Sequence, residues 1–185
     1  NRILNESRDT KNPLLERLNF LSITASNLDE FYIVRVASLR DMASVNFEEK
    51  DLSGLSVNEQ LTRIDDKTRK LMSLMYSTYS RSLVPSLKQE NIFISDYEEL
   101  EPKQCERCDE YFKTELYPVL TPMAVDQSRP FPLIYNRMLN LCVMLDGKGL
   151  VDSHNKDNAE KTVYETLQVP NVVPRLFRLT GDNGE

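Results

Sequence analysis

The stretch NPLLERLNFLSITASNLDEFYIVRVA, Asn12 to Ala37, decides how the first half of this chain folds. Asn12 carries a capping side chain. Pro13 suits the first helical position, where its missing N–H costs nothing, and Glu16 falls in the first turn. Apolar residues then return at Leu14, Leu18, Leu21 and Ala25, close to the 3.6-residue period of a helix. A second helical run is predicted from Asn27 or Leu28 to about Val45, capped by Ser26 or Asn27. Asp29 and Glu30 lie near its positive end, and its apolar set is Phe31, Val34, Ala37 or Ser38, and Met42. Two such runs in succession predict a helical hairpin or bundle.

Working outward, residues 46–55 read as a polar connection. Ser56 and Glu59 have the spacing of a capping box. The helix they open is predicted to run to about Leu83, with Leu61, Ile64, Thr68, Leu71, Met75 and Tyr79 on one stripe and Pro85 kinking or ending it. Asn91 to Ile94 reads as a short extended piece. Glu98 to Leu116 reads as another helix, with Pro102 acceptable only at its start; its seven acidic against three basic residues predict a solvated face. Prolines 118, 122, 130 and 132 then exclude a regular helix or a central strand. Strands are predicted at Leu139–Leu145, closed by Asp146-Gly147, at Thr162–Val169 and at Arg175–Leu179, with a polar loop over 147–160. The fold class is therefore α+β: an all-helical domain over 1–95, then the start of an α+β domain over 96–185.

Composition excludes several functions. The 185 residues carry a formal net charge of -6 and no cluster of five Lys/Arg, so no nucleic-acid or other polyanion grip is expected from this segment alone. No run of about 18 apolar residues is present to span a membrane. None of the five glycines forms a phosphate-binding loop. Cys105 and Cys108 form a CxxC inside an acidic helical pattern rather than after a strand, and with Cys142 they read as reduced cytoplasmic thiols and not as a zinc site. His154, the only histidine, sits in a polar loop and is not expected to be catalytic.

At helical spacing Phe20, Thr24 and Asn27 share one face, with Phe31 a turn further on. An aromatic ring, a small polar residue and an amide, which offers donor and acceptor together, suit the wall of an adenine pocket. The same residues also fit a simpler role, with the two rings in the core and Asn27 as a cap.

The run Asn12–Ala37 resembles the amino-terminal signature of the large, histidine-phosphorylated polyphosphate kinases. The run YPVLTPMAVDQSRPFP, Tyr117 to Pro132, followed by Asn140 and Leu141, resembles the same family's entry into its head domain. The resemblance implies reversible transfer of the terminal phosphate of ATP to polyphosphate through a phosphohistidine, with magnesium. It places the histidines and the magnesium site in carboxy-terminal domains not contained in this chain, and His154 matches neither histidine. No catalytic or metal-binding residue is therefore expected here. The family's ATP-contacting asparagine aligns with Asn27, and Phe20 is added as a second wall of the base pocket. A homodimer or homotetramer is implied, cytoplasmic or peripheral at the inner membrane. The rival expectation is a non-catalytic helical interaction module.

Overall fold

The computed structural model describes residues 2–125, 132–145 and 163–179. Backbone contacts divide the chain into two compact units, Asn1–Ser95 and Asp96–Glu185. The first is helical. Helix α1 spans Arg2–Arg8 and α2 spans Leu14–Phe31; α2 runs through a π-helical turn, Tyr32–Val36, into α3, Ala37–Ser44. After a loop, α4 spans Val57–Thr78 and runs through a second π turn, Tyr79–Leu83, into α5, Val84–Gln89. The end of the first rod packs on α4 and its start packs on the second π turn, so the two rods form an antiparallel hairpin with α1 laid against it. Leu4, Leu21 and Leu83 are the buried centre, with Leu14, Leu18, Leu71, Met75 and Tyr79 packed around them.

Several local expectations change. Asn12 does not cap α2: its Nδ2 donates to the Glu6 carbonyl at 2.9 Å and to the Glu6 carboxylate at 3.2 Å, and Pro13 takes the capping position. No break occurs at Ser26 or Asn27, because neither proline nor glycine lies between Leu14 and Ser53 to interrupt the ladder. Asn27 is therefore an exposed residue inside a helix. Around the first π turn the buried residues are not the expected set: Val36, within it, and Leu39, after it, are buried, whereas Phe31, before it, and Val34, within it, are exposed. The second π turn accommodates a proline. Pro85 cannot donate to the carbonyl four residues back, yet the helix continues to Gln89, because the wider turn just before it relieves that demand.

The capping box at α4 forms as expected. The Glu59 amide donates to Ser56 Oγ at 3.3 Å, and the Ser56 amide donates to Glu59 Oε2 at 2.8 Å. The backbone bond from Ser56, then the bond from its hydroxyl, hold the Glu59 carboxyl below its ordinary value of 4.5. A depressed carboxyl stabilises the fold above its unfolded value, and that contribution is lost as pH falls through the folded one. Ser56→Ala is expected to cost about 1 kcal/mol near neutral pH. The gap between variant and wild type should narrow once pH drops below 4.5, read as denaturant midpoints across pH. A gap that stays constant to acid would show that Glu59 plays no part in it.

The second unit opens with a 3-10 turn, Tyr97–Glu99. Helix α6, Pro102–Tyr111, follows with Pro102 in its first turn, and a π turn, Phe112–Leu116, extends it. The Tyr97 hydroxyl donates to Asp109 at 2.8 Å, and that bond pushes the phenol up to about 12. Cys105 and Cys108 are free thiols on α6, and Cys105 lies 3.8 Å from the Tyr97 and Leu100 carbonyls.

Among the described residues three antiparallel strands follow: β1, Pro122–Val125; β2, Asn140–Leu145; and β3, Val163–Gln168, in the order β1-β3-β2. Strand β1 was not foreseen, yet it obeys the rule that barred a central strand: it lies on the sheet edge, where Pro122 need not donate to a second neighbour. Two expected extended segments do not join the sheet. Asn91–Ile94 follows α5, with Asn91 in the left-handed region (φ 59°) and the Ile92 amide closing back on the Leu87 carbonyl. Arg175–Leu179 has no ladder partner among the described residues; its Phe177 ring stacks on Tyr111 with centroids 4.2 Å apart. Asp146-Gly147, the 147–160 loop and His154 lie outside the described residues.

Candidate functional site

Two grooves flank the contact between α2 and α4. One, of about 440 Å³, has Thr24, Asn27, Leu28 and Phe31 of α2 on one wall and Ile64, Lys67, Thr68 and Leu71 of α4 on the other, with Ile3 of α1 beside them. The helix period explains the first wall: 24, 27, 28 and 31 are the three- and four-residue steps of one face. The antiparallel pairing explains the second, since residue numbers rise along α4 as they fall along α2. The Thr24 hydroxyl is buried and donates to the Phe20 carbonyl at 2.9 Å, so it is occupied within the helix. That leaves Asn27 as the polar group of the α2 wall whose amide is open to solvent. Phe20 is half-buried on the same helical face and is not part of the groove lining.

The other groove, of about 390 Å³, is lined by Leu18, Ala25, Asp29, Met72 and Tyr76 among others. The two differ in charge. The Asn27 groove contains a cation, Lys67, and no carboxylate; the second contains a carboxylate, Asp29, and no cation. For an anionic ligand the first is favoured. Both volumes fall within the range of small-molecule sites, so size does not separate them.

Asn27 and Phe31 thus meet in one groove, as their spacing suggests. Lys67 escaped the reading because it lies forty residues away on another helix; only the register of the hairpin brings it there. Among the described residues no three His, Cys, Asp or Glu side chains are grouped to hold a metal ion, and the groove lining has no carboxylate. These residues do not fit a magnesium site of their own. No helix among the described residues is long and apolar enough to cross a membrane.

Comparison with known proteins gives concordant matches. The family described as the polyphosphate kinase N-terminal domain matches residues 1–95, and the polyphosphate kinase middle domain matches residues 103–185. A polyphosphate kinase of Lactiplantibacillus plantarum is 46% identical over 180 residues, covering 97% of this chain and 24% of that protein. One of Bacillus anthracis is 40% identical over 182 residues, covering 98% and 25%. The crystal structure of polyphosphate kinase from Porphyromonas gingivalis aligns with a TM-score of 0.78 at 25% identity, over 100% of this chain and 25% of that one. The chain spans about a quarter of the length of the relatives it matches.

Proposed function

The chain belongs to the polyphosphate kinase family, and from that premise we propose that it forms the nucleotide-side part of an enzyme that reversibly transfers the terminal phosphate of ATP to polyphosphate. The phosphohistidine, the magnesium ion and the chemical step are assigned to residues outside this chain. Its own part is to bind. Asn27 contacts ATP through its amide, and Phe20 is a second, more distant residue of that helical face. Assembly of the enzyme into a homodimer or homotetramer, in the cytoplasm or at the inner face of the membrane, belongs to the same reading.

The observation that carries it is the position of Asn27, an exposed amide at the edge of a groove with apolar walls. An amide pairs with the donor and acceptor edge of a purine, and leucine and phenylalanine side chains accept its face. Phosphoryl transfer depends on positioning. A segment that holds the base fixes where the terminal phosphate arrives without touching it.

Asn27→Ala in the full-length enzyme is expected to raise the KM for ATP about two- to twelvefold, the equivalent of the roughly 0.5–1.5 kcal/mol of one hydrogen bond. An unchanged KM rejects the role given to Asn27. Luciferase-detected ATP formation from ADP and polyphosphate tests the wider reading. ATP from the full-length gene product and none from the 185-residue chain is the expected pair of results. No ATP from a folded full-length protein would favour an interaction module.

A further inference from the structure

We propose that Lys67 is the anion contact of the Asn27 groove: its ammonium holds the phosphate next to the ribose, so the groove takes a nucleotide rather than a nucleoside. This rests on the reading of that groove as the ATP site and adds a residue and a ligand class to it.

Three observations support the role. First, Lys67 lines the groove on the wall opposite Asn27, and that lining contains no carboxylate to neutralise it. Second, Lys67 has no ion pair among the described residues, although the next pair along α4, Asp65 and Arg69, is closed at 2.9 Å. Third, the stretch of α4 around Lys67 is locally positive in a chain whose net charge is -6. Between Arg63 and Lys70 there are four cationic side chains against two acidic ones, Asp65 and Asp66. Arg63 and Lys70 stand one turn either side of Lys67, at the four- and three-residue steps that put all three on one stripe. Asp66, three residues after Arg63 and four before Lys70, is the one carboxylate on that stripe, and Asp65 is engaged with Arg69.

The chemistry selects a phosphate. An ammonium is a compact charge with donors and no acceptor, suited to a single anionic oxygen. The apolar wall residues take the base and Asn27 takes its edge. The remaining charged part of a nucleotide that stays close to the base is its first phosphate.

The test is the KM for ATP in polyphosphate synthesis by the full-length enzyme, measured at a series of KCl concentrations for wild type, Lys67→Met, Lys67→Arg and Asn27→Ala. Lys67→Met should raise KM about tenfold at low salt, the ordinary effect of losing a hydrogen bond to a charged group. It should leave kcat unchanged, since the contact is made equally in the ground and transition states. Its KM should also depend less steeply on salt than the wild-type value, because a screened charge contact has been removed. Lys67→Arg should recover most of the affinity. An unmoved KM in Lys67→Met overturns the proposal. A raised KM whose salt dependence runs parallel to wild type also overturns it, because the contact is then to a neutral group of the base or sugar. Loss at Asn27 with none at Lys67 overturns only this inference; no change at Asn27 overturns the nucleotide reading of the groove itself.

Discussion

Leu83→Ala is expected to destabilise the helical unit by about 3–4 kcal/mol, the usual cost of truncating a leucine where the surroundings cannot close the space. Leu83 is 0% exposed, and it packs with Leu4 of α1 and Leu21 of α2. It also ends the π turn that joins α4 to α5. Three helical segments therefore meet on one side chain. None can collapse inward without pulling on the other two, which places the cost in the upper part of the leucine range. Leu52→Ala is the control: that side chain is fully exposed in the loop before α4, and its removal should change stability by no more than about 0.5 kcal/mol. The measurement is the shift in denaturant midpoint at constant slope, followed by helical circular dichroism. A loss at Leu83 below about 1.5 kcal/mol would mean that the segments repack around the gap.

The readable parts of the fold were those fixed by local chemistry. Ser56 and Glu59 announce α4 because a capping box needs only two side chains at fixed spacing. The stripe from Leu61 to Tyr79 announces its length. Strand β2 stands out as an apolar run, and β3 as a short stretch rich in β-branched and aromatic residues. The unreadable parts depended on contacts from afar. Three π turns occur among the described residues, at Tyr32–Val36, Tyr79–Leu83 and Phe112–Leu116, and no residue type marks any of them. Around the first, Val36 and Leu39 are buried while Phe31 and Val34 are exposed. Asn27 was readable as a polar residue on an aromatic face, but its role as a cap was a plausible error: asparagine favours caps, and only an uninterrupted ladder on both sides shows that no helix begins there. Lys67 was out of reach for a different reason. Its position opposite Asn27 is a property of the register between two helices, and no window along either helix contains it.

Arg17→Ala is expected to cost about 3–4 kcal/mol, because it removes two hydrogen bonds from a charged donor together with the packing of its stem. Arg17 is 6% exposed. Its Nε donates to the Ser7 carbonyl at 3.0 Å, and one terminal nitrogen donates to the Ser82 hydroxyl at 2.8 Å. One guanidinium thus ties α1 to α2 and to the second π turn. Helix α1 has seven residues, too few to persist alone, and the Ser7 carbonyl is one of its unpaired C-terminal acceptors. A cation there also meets the negative end of the helix. The opposing effect is the cost of burying a charge with no carboxylate against it among the described residues. That cost is reduced because none of its nitrogens is sealed from solvent without a partner, and a guanidinium is weakly hydrated to begin with. Hydrogen bonding should therefore win. Arg17→Met, which keeps most of the stem, separates the two effects: it should still lose about 2 kcal/mol if the bonds dominate. Arg17→Lys should fall between it and wild type, since an ammonium lacks the fork that reaches both acceptors. Amide exchange should locate the damage, with the amides of α1 losing protection before those of α4. A Met variant as stable as wild type would mean that the buried charge cancels its own bonds and that Leu4, not Arg17, holds α1 in place.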